Sequence, residues 1–129
     1  MSVEPLPFSK LIRLTIVSAA ADCVTGELPV REDLCTRPAV LHGGAVMAFA
    51  DTLGAVATMA NLPDGATTTT IESKTNFFAA IPLGDTAKGE CTPLHRGRTT
   101  MVWQTRITRG DGRLAAVVTQ TQLVLKKSE

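Results

Sequence analysis

The chain has 129 residues, enough for one domain with a buried core. Its 13 Lys and Arg nearly cancel 12 Asp and Glu, and aromatic residues make up only 4%, so it offers neither a basic surface nor stacking rings for nucleic acid. Cys23, Cys35 and Cys91 lack CxxC spacing, and two histidines form neither an HExxH pattern nor a Cys/His cluster; the cysteines read as reduced hydrophobes and no metal site is expected.

In chain order, residues 7–12 (PFSKLI) predict a short helix with Ser9 as a weak candidate cap. Residues 12–20 (IRLTIVSAA) alternate and predict a strand. Residues 22–30 (DCVTGELPV) predict a second, in which Gly26 marks a bulge or a close approach. The loop REDLCTRPAV leads into residues 41–60 (LHGGAVMAFADTLGAVATMA), a long helix that should stop near NLPDG. Residues 67–76 (TTTTIESKTN) are rich in β-branched side chains and predict a strand that AAIPLGD breaks. Residues 86–94 (TAKGECTPL) predict a weaker strand. Residues 99–108 (TTMVWQTRIT) and 113–125 (RLAAVVTQTQLVL) flank RGDG, whose Asp111-Gly112 pair predicts a hairpin turn. No linker or repeat interrupts this order. It predicts an α+β fold, a single domain over residues 1–129 with an antiparallel sheet of about five or six strands wrapped around one central helix.

The N-terminal MSVEPLPFSK lacks the basic segment and apolar run of a secretory leader, and the longest apolar run, residues 45–50 (AVMAFA), ends at Asp51. Both observations predict a cytoplasmic protein without membrane contact.

The central helix carries the chemistry. It opens on His42-Gly43-Gly44 instead of a Ser, Thr, Asp or Asn cap, and Asp51 is its single charge. A helix N-terminus presents unpaired N–H groups, and glycines let a ligand oxygen approach them, as an oxyanion hole requires. The bland alternative is a tight turn. For Asp51 the alternatives are a functional carboxylate or one buried against a partner such as Arg. Gly44, Ala48, Asp51, Ala55 and Thr58 form a stripe of mostly small residues on one face, and Gly54 in mid-helix implies close packing against a neighbour.

The run HGG with Asp51 eight positions after Gly43, then IESKTNFFAAIPLGD, LHRGRTT and DGRLAAVVTQTQLVL, resembles the hotdog-fold acyl-CoA thioesterases of the phenylacetate-degradation (PaaI-like) type. The resemblance spans roughly residues 12–125 and implies a long helix inside a curved antiparallel sheet. It implies that the Gly43 N–H polarises the thioester carbonyl and that Asp51 is nucleophile or general base. It implies that Thr70 helps position water or substrate. His42 precedes the glycine as in that family, either as a hydrogen bonder that shapes the loop or as a proton carrier. Thr36 falls where many members carry Asn or Gln, a departure, because a hydroxyl cannot present an amide's donor and acceptor together.

Eight residues of helix separate Gly43 from Asp51 by roughly 12 Å. A carbonyl-polarising donor and a nucleophile must each lie about 3 Å from one reacting group. If the two cooperate, Asp51 must come from a second, antiparallel copy of the helix, so a homodimer or a dimer of dimers (a homotetramer) is expected.

Coenzyme A, here part of the substrate and not a cofactor, needs donors for its phosphates. Arg96, Gly97, Arg98 and Thr99 in HRGRTT are the candidates, with both arginines able to point one way from an extended segment. Lys126 and Lys127 read as plain surface charge. The expected reaction is hydrolysis of an aryl- or medium-chain acyl-CoA. An acyl-CoA-binding regulator of the same fold is the alternative, but it would need no carboxylate at 51. A dehydratase would need a base that His42 is not placed to be, and no GxSxG is present for a serine hydrolase.

Overall fold

The computed structural model describes residues 5–126. Its elements are helix α1 (Pro7–Ile12), strands β1 (Thr15–Ala20) and β2 (Cys23–Pro29), a 3-10 turn (Glu32–Leu34), the short strands β3 (Cys35–Thr36) and β4 (Val40–Leu41), helix α2 (Gly43–Met59), and strands β5 (Thr67–Phe77), β6 (Thr86–Arg96), β7 (Thr100–Thr108) and β8 (Leu114–Leu125). Six strands form one antiparallel sheet in the order β1-β2-β6-β7-β8-β5, and β3 pairs with β4 apart from it.

Local sequence explains most boundaries. Pro7 starts α1 where its missing N–H costs nothing, and Arg13 ends it in the left-handed region with φ 61°. Ser9 is not a cap. It lies buried inside the helix, and the N-cap position belongs to Leu6. The Asp111-Gly112 turn forms as expected. Gly112 takes φ +87°, and the Asp111 carboxylate accepts from the Arg113 N–H at 3.0 Å. The loop expected over residues 31–40 contains the 3-10 turn, β3 and the first residue of β4.

α2 packs on the concave face of the sheet through Val46, Phe49, Ala50, Leu53, Val56 and Ala57, all buried. Each large apolar side chain removed from water there contributes roughly 1.5–3 kcal/mol. Gly26 of β2 pairs in register with Gly89 of β6, and the two make a saddle for the helix. A Cβ on Gly26 would lie 2.8 Å from Leu53 Cδ2 and 3.3 Å from Phe49 Cε1. The expected close approach at Gly26 is real, whereas the bulge in that hairpin lies on β1 at Val17. Trp103, wholly buried on β7, donates its Nε1–H to Thr58 Oγ1 at 2.9 Å.

The sheet does not enclose α2 on every side. Gly44, Met47 and Met59 are exposed, and Ala48, Asp51 and Ala55 are half-buried, so one stripe of the helix is left open. Thr58 does not belong to it. Its hydroxyl faces the core, accepting from Trp103 and donating to Gly54 O at 2.8 Å.

Beside this stripe runs β5, an edge of the sheet. A bulge at Ile71 interrupts its register with β8. The extra residue resets the strand's alternation, so that Thr68, Thr70, Ser73 and Thr75 are the half-buried positions. One long helix against a curved antiparallel sheet is the hotdog arrangement that the resemblance implies.

Candidate active site

His42 occupies the N-cap of α2 and does the work usually given to Ser or Asp. Its Nδ1 accepts from the Gly44 N–H at 2.8 Å, while its carbonyl accepts from Ala45 N–H at 2.9 Å and Val46 N–H at 3.1 Å. Gly44 has no side chain because a Cβ there would come within 2.9 Å of that imidazole nitrogen. An Nδ1 that accepts carries no proton, so the ring's N–H is at Nε2. Of the first four N–H groups of the helix, only Gly43's has no acceptor among the described residues. A Cβ on Gly43 would touch the Phe77 ring at 3.3 Å. A free, positively polarised donor thus stands at the end of a 17-residue helix.

Two turns further on, Asp51 is half-buried on the open stripe. Thr70 Oγ1 donates to Asp51 Oδ1 at 2.6 Å, and Gln122 Nε2 donates to Thr70 Oγ1 at 2.7 Å. The Thr68 hydroxyl lies 2.9 Å from Gln122 Oε1. No cation pairs with Asp51. The ion pairs among the described residues are Arg31–Asp33 and Arg109–Asp111, both remote in sequence. The alternative of a buried ion pair with an Arg therefore has no partner among the described residues.

Thr70 is brought to Asp51, but Thr36 is not. It is exposed at the end of β3, opposite Val40, and its side chain makes no hydrogen bond among the described residues. Sequence reasoning missed Thr68, Gln120 and Gln122. Gln120 and Gln122 are wholly buried on the helix-facing side of β8. The mid-helix Gly54 was the available clue, since the Gln120 amide packs directly on it.

Two of the hollows around the helix lie at its ends. An apolar one of about 330 Å³ lies at the Gly43 end, walled by Val46, Phe77, Phe78, Ile81 and Ala115. The other, about 550 Å³, lies past the C-terminal end of α2, where Asn61, Asp64, Gly97, Arg98 and Lys126 line it. Arg96 does not join Arg98 there. Its Nη1 donates to Ala21 O at 3.2 Å in the β1–β2 turn, so the two arginines do not share a face. Gly97 makes the turn, its N–H donating to Thr100 O at 2.8 Å, and exposed Thr99 accepts at its carbonyl from Val124 N–H at 2.8 Å. Lys126, expected to be plain surface charge, borders the Arg98 hollow, and Lys127 lies outside the described residues.

Comparison with known proteins gives the family. Residues 39–116 match the family model described as the thioesterase superfamily, and the chain belongs to that family. Rv1847 of Mycobacterium tuberculosis, named as a candidate esterase, is 29% identical over 114 residues, covering 86% of this chain and 81% of that protein. The proofreading thioesterase EntH of Cronobacter sakazakii is 36% identical over 74 residues, 57% of this chain and 53% of its own. Among solved structures, AziG of S. sahachiroi superposes with a TM-score of 0.91 at 26% identity, covering 96% of this chain and 100% of that one. This chain is accordingly a thioester hydrolase. No described helix is long and apolar enough to cross a membrane.

Proposed function

We propose that the protein hydrolyses an aryl- or medium-chain acyl-CoA in a site shared by two antiparallel copies of α2. The observation that carries this reading is the presence on one helix of an unpartnered donor, the Gly43 N–H at its start, and a cation-free carboxylate, Asp51, on its open stripe. The donor polarises the thioester carbonyl and stabilises the oxyanion as the tetrahedral intermediate forms. Asp51 of the second copy attacks the carbonyl or draws a proton from the attacking water. The open stripe and the unpaired edge of β5 supply the surface for that second copy. The pairing yields a homodimer with two equivalent sites, and two dimers then make the homotetramer.

The same symmetry gives the cationic hollow a role. It begins past the end of α2, which lies eight residues or roughly 12 Å beyond Asp51. When Asp51 of one copy meets Gly43 of the other, the first copy's Arg98 and Lys126 stand about that far from the reacting carbonyl. An extended pantetheine arm spans such a gap, placing the coenzyme A phosphates at the cations. The apolar hollow beside Phe77 and Phe78 is the seat for the acyl group.

A hydrolysis screen over aryl, short, medium and long acyl-CoAs, with release of free thiol as the readout, tests the reading. Turnover of aryl or medium-chain esters by a dimeric protein is the expected result. A monomer in light scattering that hydrolyses them contradicts the shared site.

A further inference from the structure

We infer that Gln122 is a positioning residue for the hydrolytic centre: through Thr70 it fixes which oxygen of Asp51 is held and which is left to react. The inference rests on the catalytic assignment of Asp51 given above.

A hydroxyl has one proton and two lone pairs. Thr70 Oγ1 lies 2.6 Å from Asp51 Oδ1 and 2.7 Å from Gln122 Nε2. The amide nitrogen only donates, so it takes a lone pair of Thr70. The ionised carboxylate only accepts, so it takes the proton. Turned end for end, the amide of Gln122 would face Thr70 with its oxygen and compete with Asp51 for that proton. The charged carboxylate is the stronger acceptor and opposes this reversal; the Thr68 hydroxyl lies 2.9 Å from both Gln122 Oε1 and Leu123 O, and its single proton serves one of the two. Gln122 is also wholly buried, so water does not reorient it.

The chain Gln122, Thr70, Asp51 therefore donates in one direction. Two consequences follow for the chemistry. The Thr70 proton is committed to Oδ1, so Thr70 holds the carboxylate and has no proton left for a water or a thioester. Oδ2 has no partner among the described residues, and it is the oxygen that meets the reacting group.

The test is a double-mutant cycle on the full-length protein. Gln122→Met keeps the volume and burial but removes the donor. It is expected to lower kcat by about 5–20-fold with KM within about 2-fold. In a Thr70→Val background the same change should cost less than about 2-fold, because its route to Asp51 is gone, whereas Thr70→Ser restores nearly native turnover. An equal loss in both backgrounds, or a raised KM with kcat kept, overturns the positioning role. If Gln122→Met does not fold, Thr68→Val removes the hydroxyl beside Gln122 Oε1 and must show the same pattern. Asp51→Asn separates the two claims. If it stays fully active, the catalytic reading fails; if it is dead while Gln122→Met turns over at the native rate, only the positioning role fails.

Discussion

The side-chain amide of Gln120 fills the space that a methyl group on Gly54 would need. A buried glutamine over a mid-helix glycine inverts the usual propensity argument. Gly54→Ala gains up to about 1 kcal/mol of helix propensity, but overpacking a full site costs about 1–3 kcal/mol. The expected outcome is a Tm lowered by a few degrees. Gln120→Ala, with its cavity, should in turn be partly rescued by Gly54→Ala, and thermal melts of the four proteins measure that coupling.

Asp51→Asn should lower kcat by about 10²–10⁴ while the protein stays folded and dimeric. Among the described residues no cation is stranded by the change, so stability holds or rises. Steady-state kinetics beside a melt and light scattering check this. A fully active variant, or one that dissociates, removes Asp51 from catalysis.

Arg98→Ala should raise KM about 5–20-fold with kcat nearly kept, because phosphate contacts act equally on ground and transition states. The KM should also become less sensitive to salt. Arg96→Ala should leave KM unchanged, since its guanidinium holds the Ala21 carbonyl instead. Identical KM shifts in both variants would contradict the separation of the two arginines.

Cys91 is wholly exposed-surface-free, and burial pushes its thiol up to about 11. A thiol reagent at pH 8 should leave it unmodified until the protein is denatured. Below pH 9 the thiol is protonated in both the folded and unfolded states, and its contribution to stability is complete. Above that the unfolded chain ionises while the folded one holds its proton to about 11, so stability falls across that window. Chemical denaturation of Cys91→Ala and native protein between pH 8 and 11 should show a shallower decline in the variant.

Periodicity and turn chemistry made the fold legible. Asp111-Gly112, the β-branched run before Phe77 and the apolar helix each depend on neighbours close in sequence. The carboxylate and the glycines were legible too, because a lone charge and a bare first turn are anomalies within one helix. The hydrogen-bonded chain behind Asp51 was not. In the run TQTQ, residues 119–122, every position is polar, so alternation cannot say which pair faces inward. Only pairing with β5 and β7 turns Gln120 and Gln122 to the core. The parting of Arg96 from Arg98 escapes the sequence for a related reason: the chain turns at Gly97, and side chains two apart across a turn lose the common direction they have along a strand.

The bulge at Ile71 makes the parity of β5 tolerant at one place only. Removing Ile71 would leave Thr70 opposite Gln122 and Glu72 opposite Thr121, a regular ladder in which every inward hydroxyl stays inward. Removing Thr69 instead would bring Thr68 next to Thr70 and turn Thr68 outward, away from Gln122. A one-residue change in length is therefore harmless or disruptive to this strand according to its position, whatever the chemistry of the residue lost.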